Sequence, residues 1–402
     1  MHPQTVGAFP FERSGNMLNP PFQYEAVRSS SGIAKVKMWN GLEAWILTRW
    51  SDVREALASP DFSVQVDTEG FPTTSAAREA NLRERKVFIS MDQPDHTKFR
   101  RMLTREFMVK RVADYRPLVD SLVKDLMDEL ESHGAPADFA DIVARPLPAN
   151  VISALLGVPH EDHEILGRLS SIRNDHTASP ELIKQSMAQL LDYLGNTIDE
   201  KIKNPEKHDD LLGRLAADQI KPGHLSRDEA VRMAVLLYSA GHETTGSQIG
   251  LGTLNFLLSP DQRHALVKDP SRLPAAVEEM LRYNTIAHLN SARVATKDVT
   301  IGGHLIRKGE GVFPLVAAAN RDPAMFAEPD QFDITRESHP HLAFAYGIHQ
   351  CLGQPLARLE LTAVFAALFD RFPKLELAVP REELHFTASA QVFRVDALPV
   401  RW

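Results

Sequence analysis

The sequence predicts a mainly α-helical protein with small β-sheets, on three observations. One uninterrupted stretch, Ser226 to Ser259, is apolar on nearly every side, the pattern of a helix buried all round. Shorter stretches such as Arg116 to His133 repeat leucine, valine and methionine at helical spacing, so they read as amphipathic helices facing a core. Strand-like alternation is confined to brief segments, the clearest being Ile33 to Trp39 and Leu42 to Thr48 around Asn40-Gly41, the dipeptide of tight hairpins.

In chain order, Met1 to Pro10 has neither a basic start nor an apolar run, so neither a signal peptide nor a membrane anchor is expected, and the expected compartment is the cytoplasm. After the hairpin, Ser51 opens a short helix that stops at Ser59-Pro60. From Phe62 to Val87 the periodicity fails around a Gly70-Phe71-Pro72 turn, and the segment reads as a loop. Pro94 starts another helix and places His96 and Arg100, four apart, on one face. Two cations so placed can bind an anion, or they form a solvated basic face. The Arg116 to His133 helix stops at Gly134, and Leu147 to Leu156 forms another, closed by Gly157 and Pro159. Glu161 to Lys203 reads as two helices broken near His176-Thr177-Ala178-Ser179-Pro180.

The long stretch begins at a capping box, Ser226 with Glu229. Its length, about 30 residues, spans roughly 45 to 50 Å at 1.5 Å per residue. In its middle lies Ala240-Gly241-His242-Glu243-Thr244-Thr245, poor helix material at a buried position. Either Thr244 bonds back to the carbonyl four residues earlier and bends the helix, or the acid and alcohol have a chemical task. His242 reads as packing or surface. Further on, Glu279 and Arg282 stand three apart, a common ion-pair spacing.

Cys351 is the only cysteine, so no internal disulfide can form. It is an inert core thiol or a working thiolate, and its setting favours the second. Phe344-Ala345-Tyr346-Gly347-Ile348-His349-Gln350-Cys351-Leu352-Gly353 puts a glycine on either side of it. A helical pattern follows, with Leu356, Leu359, Leu361 and Phe365 as its apolar positions and Arg358 and Glu360 between them. The positive end of a helix favours S⁻ over SH, and a thiolate is a soft metal ligand.

The 402 residues and 44.8 kDa would suit two or three domains by length. No Gly/Ser-rich or Pro-rich spacer, repeat or low-complexity run divides them, so a single domain over residues 1–402 is expected. Hydrophobic residues at 43% supply a large core, and a net charge of −8 argues against nucleic acid or anionic membrane as a general partner.

The cysteine loop resembles the haem-binding loop of the cytochromes P-450, with Phe344, Gly347, His349, Cys351 and Gly353 filling its pattern. It departs at Ala345, where that family usually has Gly or Ser. The resemblance implies that Cys351 is the axial ligand of the iron in haem b (iron protoporphyrin IX). It implies that His96, Arg100, Arg293 and His349 meet the haem propionates. It also implies that Glu243 recruits protons while Thr244 holds a water at the dioxygen site. Gly241 and a freed carbonyl of Ala240 would leave room for dioxygen. Glu279, Arg282 and Arg336 would form a buried structural network behind the haem. The implied fold is a triangular helical prism, its long central helix over the haem, and the missing anchor points to the soluble bacterial type. The stretches Ala319-Asn320-Arg321-Asp322 and Leu398 to Trp402 resemble those of actinomycete hydroxylases of secondary metabolites and drugs.

What this family membership would mean is a haem-thiolate monooxygenase. It would hydroxylate a neutral, apolar, medium-to-large organic substrate such as a polyketide, terpenoid, steroid or xenobiotic, using dioxygen. A thiolate ligand favours heterolysis of the O–O bond. No flavin or iron–sulfur motif is present, so electrons would come from a ferredoxin and ferredoxin reductase. Docking is expected where Arg100, Arg101, Arg105 and Arg358 gather. Phe88, Ile89, Leu237, Ile286, Leu289 and Val392, with Ala240, would line the substrate pocket, His288 could add a polar contact, and the segments 62–87 and 176–180 would cover it. Two rivals remain, a haem-thiolate nitric oxide reductase, which would lack the acid at Glu243, and a non-enzymatic haem sensor or carrier.

Overall fold

The structure is a computed structural model describing residues 5–84, 87–174, 179–287, 289, 291–336, 340–387 and 392–402. The N-terminal part runs β1 (Thr5–Ala8), α1 (Phe22–Ser30), β2 (Ile33–Lys37), β3 (Glu43–Leu47), α2 (Trp50–Ala58), β4 (Phe62–Ser63), α3 (Ala76–Glu84) and α4 (Asp95–Thr104). Next come α5 (Val109–Ala113), α6 (Arg116–His133), β5 (Ala137–Asp138), α7 (Pro146–Leu156), α8 (His163–Asn174), α9 (Pro180–Lys203), α10 (Leu211–Leu215), α11 (Arg227–Leu258), α12 (Pro260–Lys268) and α13 (Leu273–Asn284). The C-terminal part adds β6 (Arg293–Ala295), β7 (Val299–Ile301), β8 (His304–Ile306), β9 (Gly311–Pro314), α14 (Val316–Ala319), α15 (Gln354–Arg371), β10 (Glu376–Leu377), β11 (Phe386–Thr387), β12 (Arg394–Val395) and β13 (Pro399–Arg401). Mainly helical with small sheets is therefore the observed class.

Two compact units divide these elements. One comprises Met1–Lys98, Pro274–Leu352 and Phe386–Phe393; the other comprises Phe99–Leu273, Gly353–His385 and Arg394–Trp402.

The first unit is built on a six-stranded sheet in the order β1-β2-β3-β9-β6-β4. The hairpin β2–β3 pairs Ile33 with Leu47 through to Lys37 with Glu43, and β9 lies parallel to β3. Alternation along these strands sends Ile33, Trp45 and Leu47 into one apolar cluster and Ala34, Val36 and Ile46 into another. Helices α2 and α14 pack together beneath the sheet's C-terminal strand.

The second unit is helical, with α11 at its centre against α7, α9 and α15. The capping box is present: Ser226 accepts from the Glu229 amide and the Glu229 carboxylate accepts from the Ser226 amide at 2.8 Å. Phe256 of α11 meets Phe365 and Phe369 of α15 at ring-centroid distances of 5.6 and 5.2 Å, and α6 covers α15 with Val119, Val123, Leu126, Met127 and Leu130 buried. A three-stranded sheet, β10-β13-β5, completes it.

Three local expectations are corrected. The hairpin turn takes residues 39–41, because the Gly41 amide donates to the Met38 carbonyl and the Met38 amide to the Leu42 carbonyl; Gly41 has φ +83°, which a glycine adopts without strain. The second helix starts at Trp50, one residue before Ser51, because the Asp322 carboxylate accepts from the Trp50 amide at 2.8 Å and caps it from outside. The segment 62–87 is not all loop: it holds β4 and α3, whose sequence is rich in helix formers but has no apolar stripe to reveal it. Residues 175–178 of the expected break between α8 and α9, and His288, lie outside the described residues.

Candidate functional site

Within the first unit, the cysteine loop is held by its own backbone. The Cys351 amide donates to the Phe344 carbonyl at 2.9 Å, the Ala345 amide to Leu342 at 2.8 Å and the Gln350 amide to Gly347 at 3.0 Å. Gly347 has φ +76°, and a Cβ there would stand 2.6 Å from the Leu57 carbonyl oxygen at the end of α2, so only glycine fits. Ala345 also has a positive φ, +58°, which explains physically why a glycine would suit that position. The Cys351 thiol is exposed.

His96, at the start of α4, is buried, and its ring centroid lies 4.2 Å from that of His349. Phe88 is 6.2 Å from His96 on another side. Arg293, the first residue of β6, is 6% exposed, and its guanidinium donates to the adjacent Ala292 carbonyl at 2.9 Å, its one hydrogen bond among the described residues. Among the described residues no carboxylate lies within ion-pair distance of it. Desolvation pushes its pKa down to about 10, partly offset by the field of Asp92. A buried cation without a carboxylate is costly, and a propionate is the kind of group that would satisfy it. Together with one exposed thiol on a backbone-braced loop, this donor set fits a haem.

Glu279, Arg282 and Arg336 meet in the same unit. The Glu279 carboxylate accepts from Arg282 Nε and Nη2, each at 2.7 Å, and from the Asp333 amide at 2.9 Å, with Arg336 Nε at 3.3 Å. Arg282 also donates to the carbonyls of Asn320, Pro329 and Gln331. Asn320, which the sequence reading did not single out for a role, joins this network to the cysteine loop: its side-chain oxygen accepts from the Leu342 amide at 2.7 Å. A lone amide directly after Ala317, Ala318 and Ala319 was the available signal.

In the second unit, the Thr244 hydroxyl donates to the Ala240 carbonyl at 2.6 Å. The expectation of a freed Ala240 carbonyl is thereby corrected, since the hydroxyl occupies it. Gly241 has a packing reason: a Cβ there would come 3.1 Å from the Ile152 side chain of α7. His242 is buried beside Tyr238, so packing is its observed role. The Glu243 carboxylate lies 3.6 Å from Arg394 Nη1 of β12, a neighbour that no local sequence pattern announces. Gly353 caps α15, its carbonyl accepting from the Ala357 amide. Arg100 is half-buried on α4; Arg101 and Arg105 are exposed, and the turn Arg105–Phe107 packs on α15, which carries Arg358.

Of the pocket candidates, Phe88, Leu237 and Val392 are buried, and Ile89 is 48% exposed. Ile286 is half-buried and accepts a hydrogen bond from the Phe393 amide through its carbonyl. Leu289 packs against the cluster of Phe9, Tyr24 and Val36, which gives it a structural role. No helix among the described residues is long and apolar enough to cross a membrane.

A family model described as Cytochrome P450 matches residues 261–386. The chain is 40% identical over 415 residues to the Vitamin D3 dihydroxylase of Streptomyces griseolus, covering 100% of this chain and 98% of that one. It is 40% identical over 397 residues to the pentalenic acid synthase of Streptomyces avermitilis, with coverages of 98% and 97%. It superposes on the mycinamicin VIII C21 methyl hydroxylase MycCI of Micromonospora griseorubida, solved bound to mycinamicin VIII. That match has a TM-score of 0.91 at 33% identity, covering 99% of this chain and 100% of the other.

Proposed function

The chain belongs to the cytochrome P450 family, and we propose that within it the protein hydroxylates a neutral, apolar, medium-to-large organic molecule, with Cys351 as the thiolate that holds haem b. The family's reaction class is oxidation by a haem-thiolate monooxygenase. The observation that carries the assignment of residues is Arg293, a buried guanidinium lacking a carboxylate among the described residues, in the unit that also holds the Cys351 loop. By their names, the relatives dihydroxylate vitamin D3, form pentalenic acid and hydroxylate mycinamicin VIII, which supports a hydrophobic substrate without naming it.

When bound, the haem supplies activation of dioxygen, a chemistry the side chains alone lack. The chain's residues do the rest. Arg293, with His96, Arg100 and His349, orients the cofactor through its propionates. The Thr244 hydroxyl, fixed by its bond to Ala240, keeps an acceptor lone pair for a water near the reacting centre. Glu243 passes protons from solvent to that water. Glu279, Arg282 and Arg336 brace the cysteine loop through Asn320. The six apolar candidates are the pocket lining to be tested. The chain works as one catalytic domain in the cytoplasm, its electrons arriving from a ferredoxin and ferredoxin reductase at the Arg100, Arg101, Arg105 and Arg358 surface. Among alternatives, nitric oxide reduction is disfavoured by Glu243.

Titration of the ferric protein with neutral apolar compounds, followed by the haem absorption, tests this function. Saturable loss of the water ligand with one chemical series, and a hydroxylated product from it, is the expected result. A protein that no such compound perturbs, but that consumes reduced nicotinamide with nitric oxide, would overturn it. If ferredoxin-supported turnover did not slow with rising ionic strength, the basic docking surface would be wrong.

A further inference from the structure

The segment before α1 holds a buried cation. Arg13 is 8% exposed, and its Nη1 donates to the Met17 carbonyl at 3.0 Å and to the Asn19 carbonyl at 2.9 Å, which closes residues 13–19 into a loop around its own side chain. The Asn19 amide donates to the Asn16 carbonyl at 2.9 Å and the Leu18 amide to the Asn16 side-chain oxygen at 3.1 Å, so the loop is also braced from within. Desolvation pushes the pKa of Arg13 down to about 10, which leaves it a cation at neutral pH.

That cation sits on an aromatic ring from the far end of the chain. The Arg13 guanidinium carbon lies 3.8 Å from the centre of the Phe393 ring, and Phe393, 1% exposed, also stacks on Phe386 at a centroid distance of 5.7 Å. A guanidinium over a ring shielded from water is attracted more strongly than one at an exposed site. Phe393 directly follows the pocket candidate Val392, and its amide donates to the carbonyl of Ile286, a second candidate, at 2.9 Å. A third, Leu289, packs on the cluster to which Phe9 and Tyr24 belong. Residues 9–24 thus back three of the candidate wall positions without being among them.

We propose that Arg13 is a positioning residue for substrate selectivity: stacked on Phe393, it fixes Val392 beside Ile286 and so sets the shape of that wall of the pocket. The inference rests on the reading of Val392 and Ile286 as pocket lining. Arg13 acts through the Phe393 ring rather than on the substrate. Its two carbonyl bonds keep the guanidinium from following a ring that moves, so displacing Val392 costs the stacking contact. A wall ordered in advance binds a bulky ligand more tightly, because nothing has to be ordered on binding. A ligand too small to reach the wall gains nothing from it. Discrimination between large and small ligands therefore depends on Arg13, although the residue stands nearly 380 positions from Val392 in the chain.

The test uses the haem-loaded protein and two nitrogen donors that bind the iron, imidazole and the far bulkier clotrimazole. Both shift the haem absorption, so their affinities are read by titration without turnover, and the ratio of the two measures the preference for bulk. A change that only lowers stability leaves this ratio where it was. In Arg13→Met the preference for clotrimazole should fall by about fivefold or more. In Arg13→Lys, which keeps the charge but not the planar fork, it should fall by at least about twofold, and this variant carries the comparison if Arg13→Met takes up no haem. With Phe393→Leu in place, Arg13→Met should lower the preference no further. A parent-like preference in an Arg13 variant that holds haem, while Val392→Phe changes it, would overturn the role of Arg13. An equal fall with and without the Phe393 ring would overturn the route through that ring. A preference moved by neither Val392→Phe nor Ile286→Ala would overturn the pocket reading on which the proposal rests.

Discussion

Glu360 offers a sharp test of the packing of α15. It is 3% exposed, between Leu356, Leu361, Ala363 and Val364, which are also buried, on a helix that α6 covers with aliphatic side chains. No ion pair reaches it among the described residues. Desolvation alone raises its pKa well above the ordinary 4.5, because burial favours the neutral form. Above pH 4.5 the unfolded chain has lost this proton and the folded chain has kept it, so folding binds a proton and stability falls as pH rises. The slope is about 1.4 kcal/mol per pH unit until the buried group ionises. For a chain of 402 residues, with an unfolding entropy of about 2 cal/mol/K per residue, that slope is roughly 1.5 to 2 °C per pH unit. Glu360→Gln removes the titration, and any cost of placing an amide there does not depend on pH. Melting followed by circular dichroism at pH 5.5, 6.5 and 7.5 should therefore show the midpoint of the variant rising relative to the parent as the pH increases, by up to that amount per pH unit for as long as the buried group keeps its proton. A constant difference across the three pH values would mean that Glu360 is ionised in the fold, and would refute the reasoning.

Further outcomes follow from the same physics. Glu279→Ala leaves Arg282, whose side chain is 2% exposed, and Arg336 without their carboxylate; a loss of about 3 to 5 kcal/mol is expected, together with a lower haem-to-protein ratio, checked by melting and absorbance. An unchanged midpoint would contradict the network's role. Ala345→Gly relieves a left-handed backbone that costs an alanine about 1 to 2 kcal/mol, part of which the greater freedom of an unfolded glycine offsets, so a gain of up to about 1 kcal/mol is expected. A lower midpoint would argue that Ala345 is unstrained. Arg293→Met should act in opposite directions on two measurements: the haem-free protein becomes no less stable, because a buried charge is gone, while haem transfer to an acceptor protein speeds up by about tenfold or more. Faster unfolding of the haem-free variant with unaltered haem loss would show that Arg293 serves the fold alone.

The long-period features were legible in the sequence. The Arg116 to His133 helix and the capped start of α11 were set by apolar periodicity and by side chains within three residues of each other. The hairpin followed from alternation and a glycine at its turn. α3 was not legible, because Ala76 to Glu84 favours a helix by propensity yet buries no stripe. Glu360 was read only as a polar position between leucines, because local spacing does not report which elements pack on α15. At the site, the residue types and the Glu279–Arg282 spacing pointed to groups that do meet. The links through Asn320 and Arg394 depend on chain segments far apart in sequence, and the Ala240 carbonyl was expected free because a side-chain bond within one helix turn was weighed as the lesser reading.

The most direct test of the central claim, that Cys351 is the thiolate holding the haem, is the absorption spectrum of the reduced protein with carbon monoxide, recorded for the parent and for Cys351→His. The parent should show the red-shifted band that thiolate ligation gives, and the variant should retain haem with that band replaced by the one typical of imidazole ligation. A Cys351→His protein that kept the thiolate band would contradict the assignment, because the chain has no other cysteine to supply it.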